Sequence, residues 1–360
     1  MPEVAGLHPA TARDGDAPLI EVRGVSMHFE TSHSLSRAKR DAGRLLAVDS
    51  VNLEVRRGEA LGLVGESGSG KSTLARCIVG LHEATAGEIL YDGSVLPSRR
   101  AATDRRRIQM VFQDPYSSLD PRMTVKQMLR ELLRVHDVVP RDRVDDRARE
   151  LMILVGLGAE ALSSYPRQFS GGQRQRVAIA RALALEPELL VADEPVSALD
   201  VSVQANILNL LRDLQRRLGL TMIFIAHNLA VVRHLCDRVA VMYLGHIVEV
   251  ADTAELFVDP RHPYTQGLLM AIPRLEPGRA SQAAAVLGDP PSPLSVPSGC
   301  RFHPRCPVAQ PVCSDEEPAL APGPGRSTHS AACHFAWTGQ PSLLAPDDGV
   351  GKAWSQEDPA

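Results

Sequence analysis

Gly65-Glu66-Ser67-Gly68-Ser69-Gly70-Lys71-Ser72 follows the apolar run Leu61 to Val64 and opens a helical pattern running from Ser72 to Leu81. The eight residues fit G-x-x-x-x-G-K-[ST], and a strand before with a helix after is the setting a phosphate-binding loop requires. Glycines let the backbone curl so that successive N–H groups point at phosphate oxygens, and the helix adds its positive N-terminal end. On this reading the backbone from Gly65 through Glu66, Ser67, Gly68, Ser69 and Gly70 cradles a polyphosphate. Lys71 bridges the β- and γ-phosphates, and the Ser72 hydroxyl, with Thr73 beside it, faces a Mg²⁺ ion.

Working outward, short apolar runs alternate with helical patterns from Ile20 to Val250, the rhythm of an α/β domain. Strands are predicted at Leu46 to Val55, Ala60 to Val64, Glu88 to Tyr91, Ile108 to Phe112, Leu189 to Asp193, Met222 to Ala226 and Val239 to Tyr243. Between Met123 and Leu157 the pattern turns helical, with Val125, Met128, Leu129, Leu132 and Leu133 on one face and a second amphipathic run from Val144 to Val155. This predicts an α/β P-loop core with an antiparallel β subdomain and an inserted helical subdomain at about 114–175, within a domain spanning 19–255. Residues 256–337 read as a separate, irregular extension with a proline-crowded loop (Pro290, Pro291, Pro293, Pro297), and 1–18 and 338–360 as disordered tails.

Leu189-Leu190-Val191-Ala192-Asp193-Glu194 is a buried-type strand ending in two adjacent carboxylates. Two neighbouring carboxylates divide the work: Asp193 holds the Mg²⁺ shell, and Glu194 polarises the attacking water. His227 ends the next apolar strand and emerges at the same sheet edge, where open α/β folds bind ligands. Gln113 ends the strand Ile108 to Phe112 ahead of the helical insertion, placed to read the γ-phosphate and Mg²⁺.

Composition sets the outer limits. A formal net charge of −4 over 360 residues argues against a nucleic-acid-coating protein, and 44% hydrophobic residues exclude a wholly disordered chain. The Asp104-Arg105-Arg106-Arg107 run reads as a solvated face. Lysine occurs only at Lys39, Lys71, Lys126 and Lys352. No run reaches the ~18 apolar residues that span a bilayer, and the N-terminus lacks the blocks of a signal peptide. A cytoplasmic chain with reduced thiols is the expectation. Cys77 and Cys236 lie in apolar segments and read as small buried residues.

Phe169-Ser170-Gly171-Gly172-Gln173, ahead of a helix predicted from Arg174 to Leu185, completes a pattern that resembles the ATP-binding cassette (ABC) ATPases. The resemblance implies that Ser170, Gly171, Gly172 and Gln173 cap the γ-phosphate held by the P-loop of a second subunit. A Gly-Gly pair at a helix end, open to close approach by an anion, is physically suited to that. It also implies a D-loop at Ser197-Ala198-Leu199-Asp200 and an adenine-stacking aromatic at Phe29, which precedes a polar, loop-like stretch from Thr31 to Arg44.

Within that family, Met110-Val111-Phe112-Gln113-Asp114-Pro115-Tyr116-Ser117-Ser118-Leu119-Asp120-Pro121 and His262-Pro263-Tyr264-Thr265 resemble the dipeptide and oligopeptide importer ATPases, over about residues 19–337. Phe169 before Ser170 is similar to the second member of their paired ATPases. The resemblance implies ATP and Mg²⁺ as ligands and a place on the cytoplasmic face of the membrane. It also implies two membrane-spanning permease subunits, a second ATPase subunit and an extracytoplasmic peptide-binding protein as partners. Rival readings are an importer of another solute (nickel, glutathione or a glycan), a soluble ABC protein acting on DNA or ribosomes, and a non-hydrolysing partner in an asymmetric pair.

Four further cysteines, Cys300, Cys306, Cys313 and Cys333, follow C-x5-C-x6-C-x19-C. Thiols in a reduced compartment suit a soft metal better than disulfides. The peptide-importer resemblance implies a [4Fe-4S] cluster; zinc, with His303 or His334 as substitute ligands, and unligated thiols are the alternatives.

Overall fold

The computed structural model describes residues 17–30, 44–114, 118–197, 199–272, 288–289, 291–326 and 328–338. Of the expected tails, 1–18 and 338–360, all but Ala17, Pro18 and Thr338 fall outside these residues, as do most of the polar stretch after Phe29, Ala198 and Pro290. An antiparallel sheet opens the fold, formed by β1 (Pro18–Glu30), β2 (Arg44–Arg56), β4 (Ala86–Tyr91) and β5 (Ser94–Val95) in the order β2-β1-β4-β5. Between β2 and β4 the chain lays down β3 (Ala60–Val64) and α1 (Lys71–Val79), which belong to the larger second layer.

That layer begins with α2 (Ala102–Arg107) leading into β6 (Ile108–Val111). Two amphipathic helices follow, α3 (Val125–Val135) and α4 (Val144–Leu154), and then α5 (Gly171–Leu183), β7 (Leu189–Asp193) and α6 (Val201–Leu218). β8 (Thr221–Ala226), α7 (Leu229–Arg233) and β9 (Arg238–Tyr243) follow, and then β10 (His246–Asp252), a strand absent from the sequence reading. β3 lies between β8 and β9, and β9, β3, β8, β7 and β6 all run parallel. Every residue of β3, β7 and β8 is buried, which explains their unbroken apolar sequence: a central parallel strand has no solvent face. Along β3 the side chains alternate between two cores, Ala60 and Val64 toward one and Leu61 and Leu63 toward the other, where the antiparallel sheet also packs. The first core takes Val125, Met128, Leu129 and Leu133 of α3 and Val144, Ala148, Leu151 and Met152 of α4.

The chain then forms α8 (Thr253–Val258), α9 (Pro263–Met270) and α10 (Pro311–Asp315), and returns to the large sheet through β11 (Ala321–Pro322) and β12 (Ser330–Ala331). Ala331 pairs with Glu249 and Ser330 with Val250, so a segment about 80 positions further along the chain extends the sheet beyond β10. A buried charge fixes this return. Glu249 is wholly buried and accepts bonds from the Arg261 backbone N–H at 2.6 Å, the His262 backbone N–H at 3.0 Å and His329 Nε2 at 2.8 Å. A buried carboxylate so surrounded satisfies the rule that buried charge must be paired. Among the described residues, no helix is long and apolar enough to cross a membrane.

Candidate active site

The loop Gly65–Gly70 leaves β3 at the C-terminal edge of the parallel strands, the edge where open α/β sheets hold ligands. Two glycines are sterically required. Gly65 has φ +155, and a Cβ there would lie 2.1 Å from the Met242 carbonyl oxygen; Gly70 has φ +105, and a Cβ would lie 2.2 Å from the Ala47 carbonyl oxygen. Lys71 is buried, and its ammonium donates to the carbonyls of Gly65 and Glu66, each at 2.8 Å, and to Ser69 Oγ at 3.2 Å. Burial lowers its pKa, against the pull of Glu194, Asp193 and Glu66 in the other direction. The cation is thus held at the mouth of the curled loop.

Ser72, in the first turn of α1, donates to Asp193 Oδ1 at 2.8 Å, joining the loop to the end of β7. Burial raises the Asp193 carboxyl, and the Ser72 hydrogen bond works against that rise. A hydroxyl and a carboxylate at this separation are hard oxygen donors, the type Mg²⁺ prefers. Together with the buried ammonium and the exposed Ser67 and Gly68 at the loop's tip, they fit a Mg²⁺–polyphosphate.

Two residues that follow neighbouring strands meet one carboxylate. Gln113 Nε2 donates to Glu194 Oε2 at 3.0 Å, and His227 Nδ1 lies 3.8 Å from the same oxygen. Glu194 itself holds φ +44, a left-handed conformation uncommon outside glycine, and its N–H donates to the Ile225 carbonyl of β8. Its side chain is half-buried, whereas Gln113 and His227 are exposed, so the oxygen they share opens to solvent.

Ser170 caps α5 in a reciprocal pair: the Gln173 N–H donates to Ser170 Oγ, and the Ser170 N–H donates to Gln173 Oε1. The helix therefore starts at Gly171 and ends at Leu183, whereas the sequence reading started it at Arg174. Ser-x-x-Gln is a capping-box signature, and that local signal was there to be read. Gly172 packs against α6, where a Cβ would meet Val203 Cγ1 at 2.4 Å. Asp200 stands at the N-terminal end of α6, its side chain making no capping bond, and is exposed, as are Ser170 and Gln173. Phe29 lies edge-on to His82, ring centroids 5.6 Å apart.

One expectation is overturned. Cys300, Cys306, Cys313 and Cys333 line a common pocket with His303 and His334, yet among the described residues no group of three or more His, Cys, Asp or Glu is arranged to hold a metal ion. The [4Fe-4S] cluster and its zinc alternative are corrected accordingly. Burial pushes the Cys300 and Cys306 thiols up to about 11, away from the thiolate that a metal needs. The two rings meet backbone instead, His303 Nδ1 at the Cys300 carbonyl and His334 Nε2 at the Glu316 carbonyl, each at 3.0 Å. All six cysteines are free thiols.

The sequence profile described as ABC transporter matches residues 48–197, and that of the oligopeptide/dipeptide transporter C-terminal region matches residues 248–313. The chain is 47% identical over 321 residues to the oligopeptide transport ATP-binding protein OppF of Salmonella typhimurium, covering 88% of this chain and 95% of that one. The chain belongs to the peptide-transport ATP-binding proteins of the ABC family. Among solved structures, cbiO1 of Clostridium perfringens, part of the ABC transporter complex cbiONQ, matches with a TM-score of 0.58 at 29% identity, over 67% of this chain and 90% of that one. An ATP-binding cassette solved as a dimer in a post-hydrolysis state, with ADP and phosphate, matches with a TM-score of 0.56 at 29% identity, over 65% and 98%. The α/β P-loop fold expected from the sequence is thus the fold of the family.

What the sequence did not disclose is the set of groups behind the loop. Tyr264, Arg305 and Tyr243 reach Glu66 or one another from segments far along the chain, Arg305 from 239 positions away. No spacing rule connects residues so distant.

Proposed function

We propose that this chain is the ATP-hydrolysing subunit of a membrane importer of di- and oligopeptides. The observation that carries the hydrolytic role is the meeting of Gln113 and His227 on one oxygen of Glu194, at the strand edge that also holds Lys71 and the Ser72–Asp193 pair. Lys71 and the loop N–H groups bind the β- and γ-phosphates. Ser72 and Asp193, together with Gln113, would hold Mg²⁺, which would supply charge neutralisation at the phosphate oxygens. Glu194 accepts a proton from the water that attacks the γ-phosphorus as the bond to the bridging oxygen breaks, leaving ADP and phosphate. Gln113 orients the base, and His227 contacts the γ-phosphate. In such reactions positioning and charge stabilisation do most of the work.

The exposed Ser170–Gln173 turn and Asp200 suit a second ATPase subunit, closing head to tail over two nucleotides, and Phe29 suits an adenine face. The cytoplasmic face of the membrane, two permease subunits and an extracytoplasmic binding protein complete the assembly. The match to the oligopeptide/dipeptide C-terminal region supports peptide as the cargo.

Uptake of labelled dipeptides and longer peptides in cells lacking the chain, complemented with wild type or Glu194→Gln, tests the reading. Uptake restored by wild type alone is the expected result. Uptake that persists without the chain would remove the peptide assignment.

A further inference from the structure

Glu66 is held at three points. Its carbonyl accepts from Lys71 Nζ at 2.8 Å, its backbone N–H donates to the Tyr264 hydroxyl at 2.8 Å, and its carboxylate receives Arg305 Nη1 at 2.9 Å and Nη2 at 3.0 Å. Tyr264 and Arg305 both come from beyond β10. The two-pronged guanidinium–carboxylate pair fixes direction as well as distance. Arg305 is itself almost buried, only 6% exposed, with its guanidinium over the Tyr243 ring at 5.8 Å and the Phe302 ring at 6.0 Å. Tyr243, Tyr264 and Phe302 are mutually packed, with centroids 4.7 to 5.5 Å apart, so the platform beneath Arg305 is rigid. Such a buried, prepositioned cation is more than a surface ion pair, which contributes little.

We propose that Arg305 is a positioning residue for the nucleotide site: by gripping Glu66 it sets the loop that presents Lys71, and it cancels a carboxylate charge that would otherwise repel the polyphosphate. The inference rests on the ATPase reading above. It makes the C-terminal segment a determinant of nucleotide affinity, through one residue that touches both Arg305 and Lys71. Glu66 stands inside the phosphate loop, where an unpaired negative charge opposes anion binding directly.

The test uses the full-length chain and Mg–ADP as the probe, titrated calorimetrically, with steady-state ATP hydrolysis alongside. Arg305→Gln frees the Glu66 carboxylate and is expected to weaken Mg–ADP binding about fivefold to twentyfold. The KM for ATP should rise in step, with kcat changing by less than about twofold. Adding Glu66→Gln to that variant removes the freed charge and should recover most of the lost affinity. Arg326→Gln, which loosens the same segment at Glu255 and Asp259, is the control and should lower the melting temperature without moving the Kd. An unchanged Kd in Arg305→Gln would overturn the proposal. So would a loss that Glu66→Gln fails to relieve and that Arg326→Gln reproduces, because simple loosening would then explain it. If wild type fails to bind Mg–ADP at all, the ATPase reading itself falls, an outcome separate from either.

Discussion

Gln113 donates its side-chain N–H to Glu194 across 3.0 Å, although 81 positions separate them in the chain. The bond exists because β6 and β7 are parallel neighbours, with Val111 in register with Ala192, so the residues just past each strand emerge side by side. Glu194→Gln keeps the size and the hydrogen-bonding contact but cannot accept a proton. ATP hydrolysis is expected to fall by about 10²- to 10⁴-fold, the range of a lost general base, while nucleotide affinity stays within about threefold. Phosphate release and equilibrium binding check the two halves, and undiminished release would remove Glu194 as the base.

Lys71→Ala separates binding from chemistry. The ammonium is buried at the mouth of the loop, and its charged hydrogen bonds to phosphate contribute about 1.5–3 kcal/mol each. Loss of roughly ten- to hundredfold in Mg–ADP affinity follows. An unaltered affinity would contradict the phosphate role.

Gly172→Ala tests the packing behind the Ser170 turn. A methyl there meets stiff, β-branched Val203 at 2.4 Å, whereas at Gly171 it meets the end of the Leu199 side chain at 3.2 Å. Overpacking of this kind costs about 1–3 kcal/mol, so Gly172→Ala should melt lower than Gly171→Ala. Val203→Ala added to Gly172→Ala should recover part of the loss, which thermal unfolding of the three variants would measure.

Two buried histidines give opposite slopes to stability against pH. Burial lowers His262 to about 4, so between there and the ordinary value of 6.5 the unfolded chain binds a proton that the folded chain does not. Stability is lost as pH falls through that window, by up to about 3 kcal/mol at its lower end. His329 behaves in reverse: burial disfavours its charge, but the hydrogen bond and charge of Glu249, with those of Glu255, prevail and raise its pKa. Its contribution is complete below 6.5 and is lost as pH rises through the folded value. Compared with wild type, His329→Gln should flatten the alkaline limb of a melting-temperature profile taken from pH 4 to 9. A parallel pair of profiles would contradict the assignment.

The parts legible in the sequence were those whose chemistry is local. The phosphate loop, the all-apolar β7 that ends in Asp193, and the amphipathic α3 and α4 each state their structure within a dozen residues. His227 and Gln113 were legible one step removed, since a strand-end residue goes wherever sheet order carries it. The sequence reading begins the helix at Arg174, whereas the Ser170–Gln173 capping pair starts it at Gly171, even though Gly171 and Gly172 are poor helix formers. β12 is two residues long, too short to carry any periodicity, and it exists because β10 offers it an edge. The four C-terminal cysteines show the opposite failure: four thiols clustered in sequence suggested a metal centre, while among the described residues the fold gives them no such geometry.

The grip of Arg305 on Glu66 has a further consequence for how the protein comes into being. Ribosomes add about 5–20 residues per second, and 239 positions separate the two residues. The phosphate loop therefore leaves the exit tunnel roughly 10–50 s before the guanidinium that steadies it. Throughout that interval the nascent chain carries β3 and α1 without Tyr264 or Arg305, and the outer edge of β10 stays open until Ser330 and Ala331 arrive. A chain released early, short of residue 305, would hold every catalytic side chain yet lack the brace for its own loop. Maturation of the nucleotide site therefore waits on a segment made long after the loop itself.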